Sequence, residues 1–384
     1  MNTRKLKTDP KYRQIADIIL KEIRGTMGVG SKLPPEVRLA ERFGVHVLTI
    51  REALRVLQEA GVIQRQRGAG THVVNPLGGK WVSIVCEMDV FSPNSRSLFH
   101  RSVIYSLRHF LRQAGLPSRV SIGEAEPGGK SSANLTSLDF VADIEANRLA
   151  GVLALSTIPA PWWLQKFQKQ GIPLVGTNEH YIHRVVFDHW EDLSKAIRCL
   201  LDLGRTQIAY IGWLEDNHTL TINPALPKAL DELEQCYPVT IRKEWIKGSV
   251  HPVIPGAGRE EFRAVWDSYS EKPNGLIIDD ENLLPDIERT LLELGIEVPR
   301  DLVIICHRTR GNDYVPHFPL IFQESDPNLY AFRMADCFLR LYRGEEVANP
   351  TIAVPRMLID DPIRNDPIFQ NILRRVEPVP FPNI

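Results

Sequence analysis

The side chains best suited to gripping a polyanion crowd into the opening stretch of the chain. Residues 1–75 carry 14 Lys and Arg against 7 Asp and Glu, a net of +7; the remainder nets −8, so the overall charge of −1 conceals a strong asymmetry. Lys and Arg displace condensed counterions from phosphate, and the planar Arg fork matches guanine or phosphate with two parallel hydrogen bonds. A basic head on an acidic body is the distribution expected when only the head meets nucleic acid. Other chemistries find less support. Gly123 to Ser131 has the composition of a phosphate-cradling loop, but five residues separate its first glycine from Gly-Lys-Ser where the motif needs four, and Pro127 stiffens it. His180, His183 and His189 lack a carboxylate at the helical spacing of a metalloprotease, and no paired cysteines could complete a structural zinc site. There is no Gly-x-Ser-x-Gly nucleophile elbow. No metal, no cofactor and no enzymatic activity are expected.

Composition agrees with an intracellular protein of several folding units. With 384 residues, 43% hydrophobic and 24% charged, the chain can form a small domain and a large one with a proper core. Its five cysteines are scattered and sit mostly in apolar runs, as buried thiols do in a reducing compartment. Met1 to Pro10 has no apolar core, and no stretch approaches the roughly 18 apolar residues of a membrane span, so a cytoplasmic location is expected.

The elements that must position the basic residues follow from periodicity. Tyr12, Ile15, Ala16, Ile19 and Ile23 recur on one helical face after Asp9-Pro10, which supply a cap and a first-turn proline. Pro34-Pro35 launch a short second helix with Val37, Leu39, Ala40 and Phe43 as its apolar face. Gly44 permits a sharp turn, and a third helix is expected from Thr49 to Ala60, closed by Gly61. Residues 62–66 and 71–74 then read as two strands around a Gly-rich tip.

The run LPPEVRLAERFGVHVLTIREALRVLQEAGVIQRQRGAGTHV resembles the DNA-binding domain of the GntR family, gapless across roughly residues 10 to 74. That resemblance implies a winged helix-turn-helix (α+β) whose third helix enters the major groove and whose wing tip meets the minor groove. It points to Arg38 and Arg51 on phosphates or base edges, to Thr49 on the backbone, and to Gly70 as the residue that lets the wing approach. His46, Arg55, Arg65 and Arg67 complete the expected DNA-binding set. His46-Val47 replaces the Ser-Arg usual before the recognition helix, and Ala69 replaces a basic wing-tip residue, so an atypical base preference is implied.

After a turn-rich linker at 76–80, apolar runs alternate with helix-like stretches: Val82 to Cys86, Val120 to Ile122, Gly151 to Leu155, Ile172 to Val175, Ile208 to Ile211, Gly275 to Ile278 and Leu302 to Cys306. Such alternation predicts parallel sheets covered by helices, and its length, from 81 to 384, predicts two lobes around a cleft. Trp162-Trp163, at a helix start, is expected to pack on a lobe surface. The phrases RLAGVLALST, GIPLVGTNEH, LLDLGRTQIAYIGW, NGLIIDDENLL and ELGIEVPRDLVIICH resemble, in order and spacing, the effector domain of the LacI family. A GntR head on such a body is the architecture of arabinose-type repressors. The resemblance implies a periplasmic-binding-protein-like α/β domain with a ligand between its lobes. Polar groups at strand ends would hold it: Asp89, Ser92, Asn178, His180, Trp213, Asp279, Asp280 and His307. The implied partners are double-stranded operator DNA, a small-molecule effector with a sugar as the default, and a second copy of the chain, with Leu329 to Leu341 among the dimer helices. Two other readings stay open: a regulator whose body only dimerises, and an enzyme carrying a regulatory head.

Overall fold

The computed structural model describes residues 10–66, 68–91, 97–125, 137–157, 159–213, 225–248, 252 and 254–359. The head consists of α1 (Lys11–Thr26), α2 (Glu36–Phe43), α3 (Val47–Glu59) and an antiparallel wing, β1 (Ile63–Gln66) and β2 (Gly70–Val73). Its core takes one stripe from each helix: Ile15, Ile19 and Ile23 from α1, Leu39 and Ala40 from α2, and Ile50, Ala53, Leu54 and Leu57 from α3. Gly44 ends α2 with φ +62°, the left-handed conformation that glycine takes without strain. Two details differ from the expectation. The third helix begins at Val47 rather than Thr49, because the His46 side chain accepts the Leu48 N–H at 3.3 Å and caps the helix. Val37, expected on the buried face of α2, is 58% exposed, since the helix turns Leu39 and Ala40 into the core, with Phe43 packed against its edge.

The body forms two sheets. The first lobe contains β3 (Trp81–Met88), α4 (Leu98–Gln113), β4 (Ser118–Ala125), α5 (Leu138–Glu145), β5 (Leu149–Leu155), α6 (Pro161–Gln170), β6 (Leu174–Gly176) and β7 (His183–Phe187). The second contains α7 (His189–Asp202), β8 (Ile208–Ile211), α8 (Ala225–Cys236), β9 (Ile246–Lys247), α9 (Ala257–Trp266), β10 (Gly275–Ile278), α10 (Leu284–Leu294), β11 (Val303–Thr309) and β12 (Ile321–Ser325). The chain then returns through α11 (Pro327–Tyr342) and β13 (Thr351–Val354) to the first lobe and ends its described part with β14 (Met357–Ile359) in the second. Strand order is β13-β7-β6-β5-β3-β4 in one sheet and β14-β12-β11-β10-β8-β9 in the other; all pairings in both are parallel except β12–β14.

The chain therefore crosses between lobes three times, at 188, at 326 and at 355–356. Each lobe has its own core: α4 and α11 cover the first sheet through Val103, Leu107, Leu111, Met334 and Phe338, and α7 and α8 cover one face of the second. The strands at β8, β10 and β11 fall where continuous apolar runs placed them, because strands buried on both faces need no alternation. The short β7, β12, β13 and β14 lacked that signal. β12 is buried throughout despite reading Ile-Phe-Gln-Glu-Ser: Gln323 donates to the Asp192 carbonyl at 2.8 Å, and Glu324 is paired with Arg308 and Arg310. Trp163 is fully buried against Phe140 and Phe167, not on the lobe surface, whereas Trp162 beside it is half-exposed. Most of the apolar face of α11 is spent inside the first lobe, leaving Phe332 as its large exposed hydrophobic residue.

Candidate DNA-binding face and interlobe cleft

On the head, one carboxylate organises the expected contact residues. Glu36, in the first turn of α2, accepts from Arg51 Nε of α3 at 2.8 Å and pairs also with the Arg65 guanidinium of the wing. Recognition helix and wing are thus joined through a residue that the sequence reading did not single out. Lys32, Pro35, Glu36, Arg51, Arg65, Gly68 and Gly70 line the groove between them, of about 660 Å³. Gly70 opens β2 at φ +102°, a conformation strained for any L side chain. Arg38 is exposed on α2 and has no acidic partner among the described residues, leaving its fork available. Thr49 lies half-buried in the first turn of α3, where free backbone N–H groups and the helix dipole favour phosphate. Arg55 is engaged along its own helix by Glu52 and Glu59, at 2.9 and 2.6 Å. Arg67 lies outside the described residues.

The interlobe cleft opens at the carboxyl ends of the strands. On the second-lobe side, Asp279, just past β10, accepts from the Tyr210 hydroxyl at 2.8 Å and from the Arg356 guanidinium. Arg356 is 6% exposed and comes from the last crossover; its backbone N–H donates to Asp192 at 3.2 Å, and its guanidinium stands 4.7 Å from the Phe187 ring centroid of the first lobe. Burial alone would raise the Asp279 carboxyl, but Arg356 foremost, together with the Tyr210 hydrogen bond, holds it below its ordinary value. Asp192, less well compensated, is pushed up to about 6 by burial against the pull of Arg356. His307 is hydrogen-bonded to Ser325 at 2.9 Å and lies inside β11 rather than beyond it, because the strand continues to Thr309. Burial, aided by Arg356, pulls its imidazolium down to about 3, so the ring is neutral.

On the first-lobe side, His100 of α4 links Ser97 at 2.5 Å to Ser156 at 2.7 Å, and burial lowers its imidazolium to about 4. Ser156 follows β5 with φ +43°, a left-handed backbone uncommon outside glycine; its N–H is held by the Thr177 hydroxyl at 3.1 Å. Neutral imidazoles are therefore hydrogen-bonded to neighbouring hydroxyls in both lobes, while the charges at the last crossover are paired with one another.

The expected effector residues divide accordingly. Asp279 and His307 are brought together. Asp280 caps the following turn by accepting Asn282 N–H at 2.8 Å, and burial raises it to about 6. Asp89 holds the Phe91 N–H at 3.1 Å. Asn178 is committed to the rim, donating to the Thr157 carbonyl and accepting from His180 N–H, both at 3.1 Å. His180 is exposed beside Glu179, and Trp213 is half-buried after β8. Ser92 lies outside the described residues, as does the Gly-Lys-Ser of the loop at 123–131. Arg356, Tyr210, Asp192, His100 and Ser156 were missed. A lone arginine between two short apolar runs, Ile352 to Val354 and Met357 to Ile359, was the one available hint for the first of these.

Fold and site together define a winged-helix DNA-binding head joined to a two-lobed body of the ligand-binding type. Residues 11–73 match the family profile described as bacterial regulatory proteins, gntR family, and residues 197–360 match the periplasmic binding protein-like domain. The chain thus resembles a GntR-type winged helix-turn-helix over 11–73 and a periplasmic-binding-protein-like domain over 197–360. Over 65 residues it is 46% identical to the mannosyl-D-glycerate transport/metabolism system repressor MngR of Escherichia coli, covering 17% of this chain and 27% of that protein. Over 78 residues it is 37% identical to the E. coli HTH-type transcriptional regulator GgaR, covering 20% and 32%. The matches to these curated relatives span about a third of their length or less. A LacI transcriptional regulator from Bacillus cereus subsp. cytotoxis superposes with a TM-score of 0.58 at 18% identity, covering 73% of this chain and 98% of that one. The lac repressor dimer bound to operator and the anti-inducer ONPF gives 0.56 at 15% identity, covering 73% and 93%. The body therefore shares its fold with these two structures. Among the described residues no helix is long and apolar enough to cross a membrane.

Proposed function

We propose that this chain is a one-component transcription repressor that binds double-stranded operator DNA through its head, at 1–75, and a small uncharged polyhydroxylated effector, a sugar or sugar derivative, through its body at 81–384. The protein works in the cytoplasm as a homodimer, its two heads reading two-fold-related half-sites. The observation that supports this reading is the pairing of a cationic helix–wing groove with a two-lobed body in which the strand-end groups His100, Ser156 and His307 are uncharged and the charged groups are paired internally. Hydroxyl-rich ligands match such groups, and a charged ligand would have to break the internal pairing of Arg356 with Asp279. Effector binding changes the angle between lobes at the three crossovers and so changes operator affinity through differential affinity for the two states.

The test is a thermal-shift screen of sugars, polyols and sugar phosphates on the full chain, followed by operator binding with and without each hit. A ligand at about 100 times its Kd adds roughly 2.7 kcal/mol of stability. Neutral sugars should give the hits, and a hit should alter operator affinity at least about five-fold. Stabilisation by none of the neutral compounds, or hits with no effect on DNA binding, would refute the effector reading while leaving the DNA-binding reading to the salt-dependence experiment below.

A further inference from the structure

The third helix of the head carries one side chain that neither its core nor its charge pattern explains. Along α3 the buried face is Ile50, Ala53, Leu54 and Leu57, with Val47 and Val56 packed partly against the same core. The solvent face is polar, built from Arg51, Glu52, Arg55, Gln58 and Glu59, except at Leu48. Leu48 is 57% exposed and, among the described residues, is the one large apolar side chain that α3 presents to solvent. An exposed leucine means little in itself; what matters is where it stands. Leu48 is the second residue of the helix and precedes Arg51 by three, so the two side chains share one face a single turn apart. Arg51 is held by Glu36 at 2.8 Å on the wall of the helix–wing groove. Val37, the neighbour of Glu36 on α2, is likewise exposed and outside the core of the head. The Glu36–Arg51 pair therefore has an unburied apolar residue close by on each helix. The backbone at Leu48 is already committed: its N–H donates to the His46 ring at 3.3 Å, so an amide that a helix start would offer to phosphate is used internally. What this position presents to DNA is a branched hydrocarbon next to a guanidinium.

We propose, on the DNA-binding reading of α3, that Leu48 reads the C5 methyl group of a thymine in the major groove and so sets part of the base preference of the head. Among the groups that base pairs expose in that groove, the thymine methyl is the apolar one; the others donate or accept hydrogen bonds. Leucine can answer none of these. A base without the methyl group would leave its donor or acceptor desolvated against Leu48 with no partner, whereas the methyl group and the side chain bury one another. Hydrogen-bond readout at this turn falls to Arg51, and methyl readout to Leu48.

The experiment enriches duplexes from a random-sequence library on the full chain, then replaces each thymine of the enriched half-site by deoxyuridine. That exchange removes the methyl group and leaves every hydrogen bond of the base in place. Anisotropy titrations compare wild type with Leu48→Ala, whose thermal midpoint should be unchanged because the side chain lies outside the core. The expected result is one thymine per half-site whose methyl group is worth about four-fold in affinity to wild type and nothing to Leu48→Ala, while every other thymine affects both proteins alike. Leu48→Asn should shift the enriched base at that position from thymine towards adenine, whose groove edge suits an amide. An equal deoxyuridine penalty in wild type and Leu48→Ala at every thymine, or an enriched half-site without thymine, overturns the proposal and leaves the DNA-binding reading standing. Failure to enrich any sequence overturns both.

Discussion

Arg356, on the last crossover between the lobes, is ion-paired with Asp279, at the carboxyl end of a strand 77 residues earlier, and both sit at the floor of the cleft. Removing one member of such a pair leaves the other buried and uncompensated, at about 3–5 kcal/mol. Arg356→Met should therefore destabilise the chain by about that amount in urea unfolding. Arg356→Met with Asp279→Asn should recover at least half of the loss, because Asn keeps an acceptor for the Tyr210 hydroxyl without a charge to neutralise. Equal stability of wild type and the single variant would show that the pair contributes nothing.

The head should behave as a phosphate clamp. Arg38→Ala and Arg51→Ala should each lower the slope of log affinity against log salt concentration by about 1 if the side chain meets a phosphate, or cost about 1–3 kcal/mol with relaxed base preference if it meets a base edge. Fluorescence anisotropy over a salt series separates these two outcomes. Wild-type affinity at every salt concentration in both variants would remove the proposed clamp.

Glu36 holds Arg51 and Arg65 at fixed spacing, at the expense of a negative charge in the groove. Glu36→Gln should raise affinity for random-sequence DNA while narrowing the ratio of specific to non-specific binding, since the two guanidinium groups are then freed but no longer oriented. Competition against unrelated duplex measures that ratio. An unchanged ratio would reduce Glu36 to a structural ion pair.

His307 supplies a pH dependence of known sign. Its folded pKa, about 3, lies below the ordinary 6.5, so between these values the unfolded chain takes up a proton that the folded chain refuses. Its contribution to stability is thus complete above about pH 6.5 and is lost as pH falls, at up to about 1.4 kcal/mol per unit. Asp192, raised to about 6, acts oppositely over the interval down to its ordinary 3.8. The clean observable is therefore the difference between His307→Gln and wild type, which should move in favour of the variant as the medium is acidified. A pH-independent difference between them in denaturant melts would contradict a neutral buried imidazole.

Gly176 ends β6 directly beneath the ring of Tyr181, whose hydroxyl holds the Thr157 carbonyl at 2.8 Å at the cleft rim. A methyl group there collides with the buried ring. Gly176→Ala should cost about 1–3 kcal/mol or more, by the usual penalty of overpacking, seen as a lower urea midpoint at constant slope. A variant as stable as wild type would mean that the rim yields easily.

Much of this architecture could be read from local pattern. Ile15, Ile19 and Ile23 at helical spacing, Gly44 at the turn, and the basic excess of the first 75 residues identify the head, because helix amphipathicity and net charge are properties of neighbouring residues. The uninterrupted apolar runs of β8, β10 and β11 identify the body for the same reason. Tertiary structure alone decided how the polar groups between the lobes are paired. Asp192 and Arg356 stand 164 residues apart, and only the three crossings of the chain between lobes bring them together with Asp279 and Tyr210. Glu36 likewise looked like an ordinary first-turn acid until the wing folded back to place Arg65 beside Arg51. Hydrophobic periodicity reports which face of an element is buried; it carries no information about which distant charge will be buried against it, and that partner sets both the ionisation and the role of a polar residue.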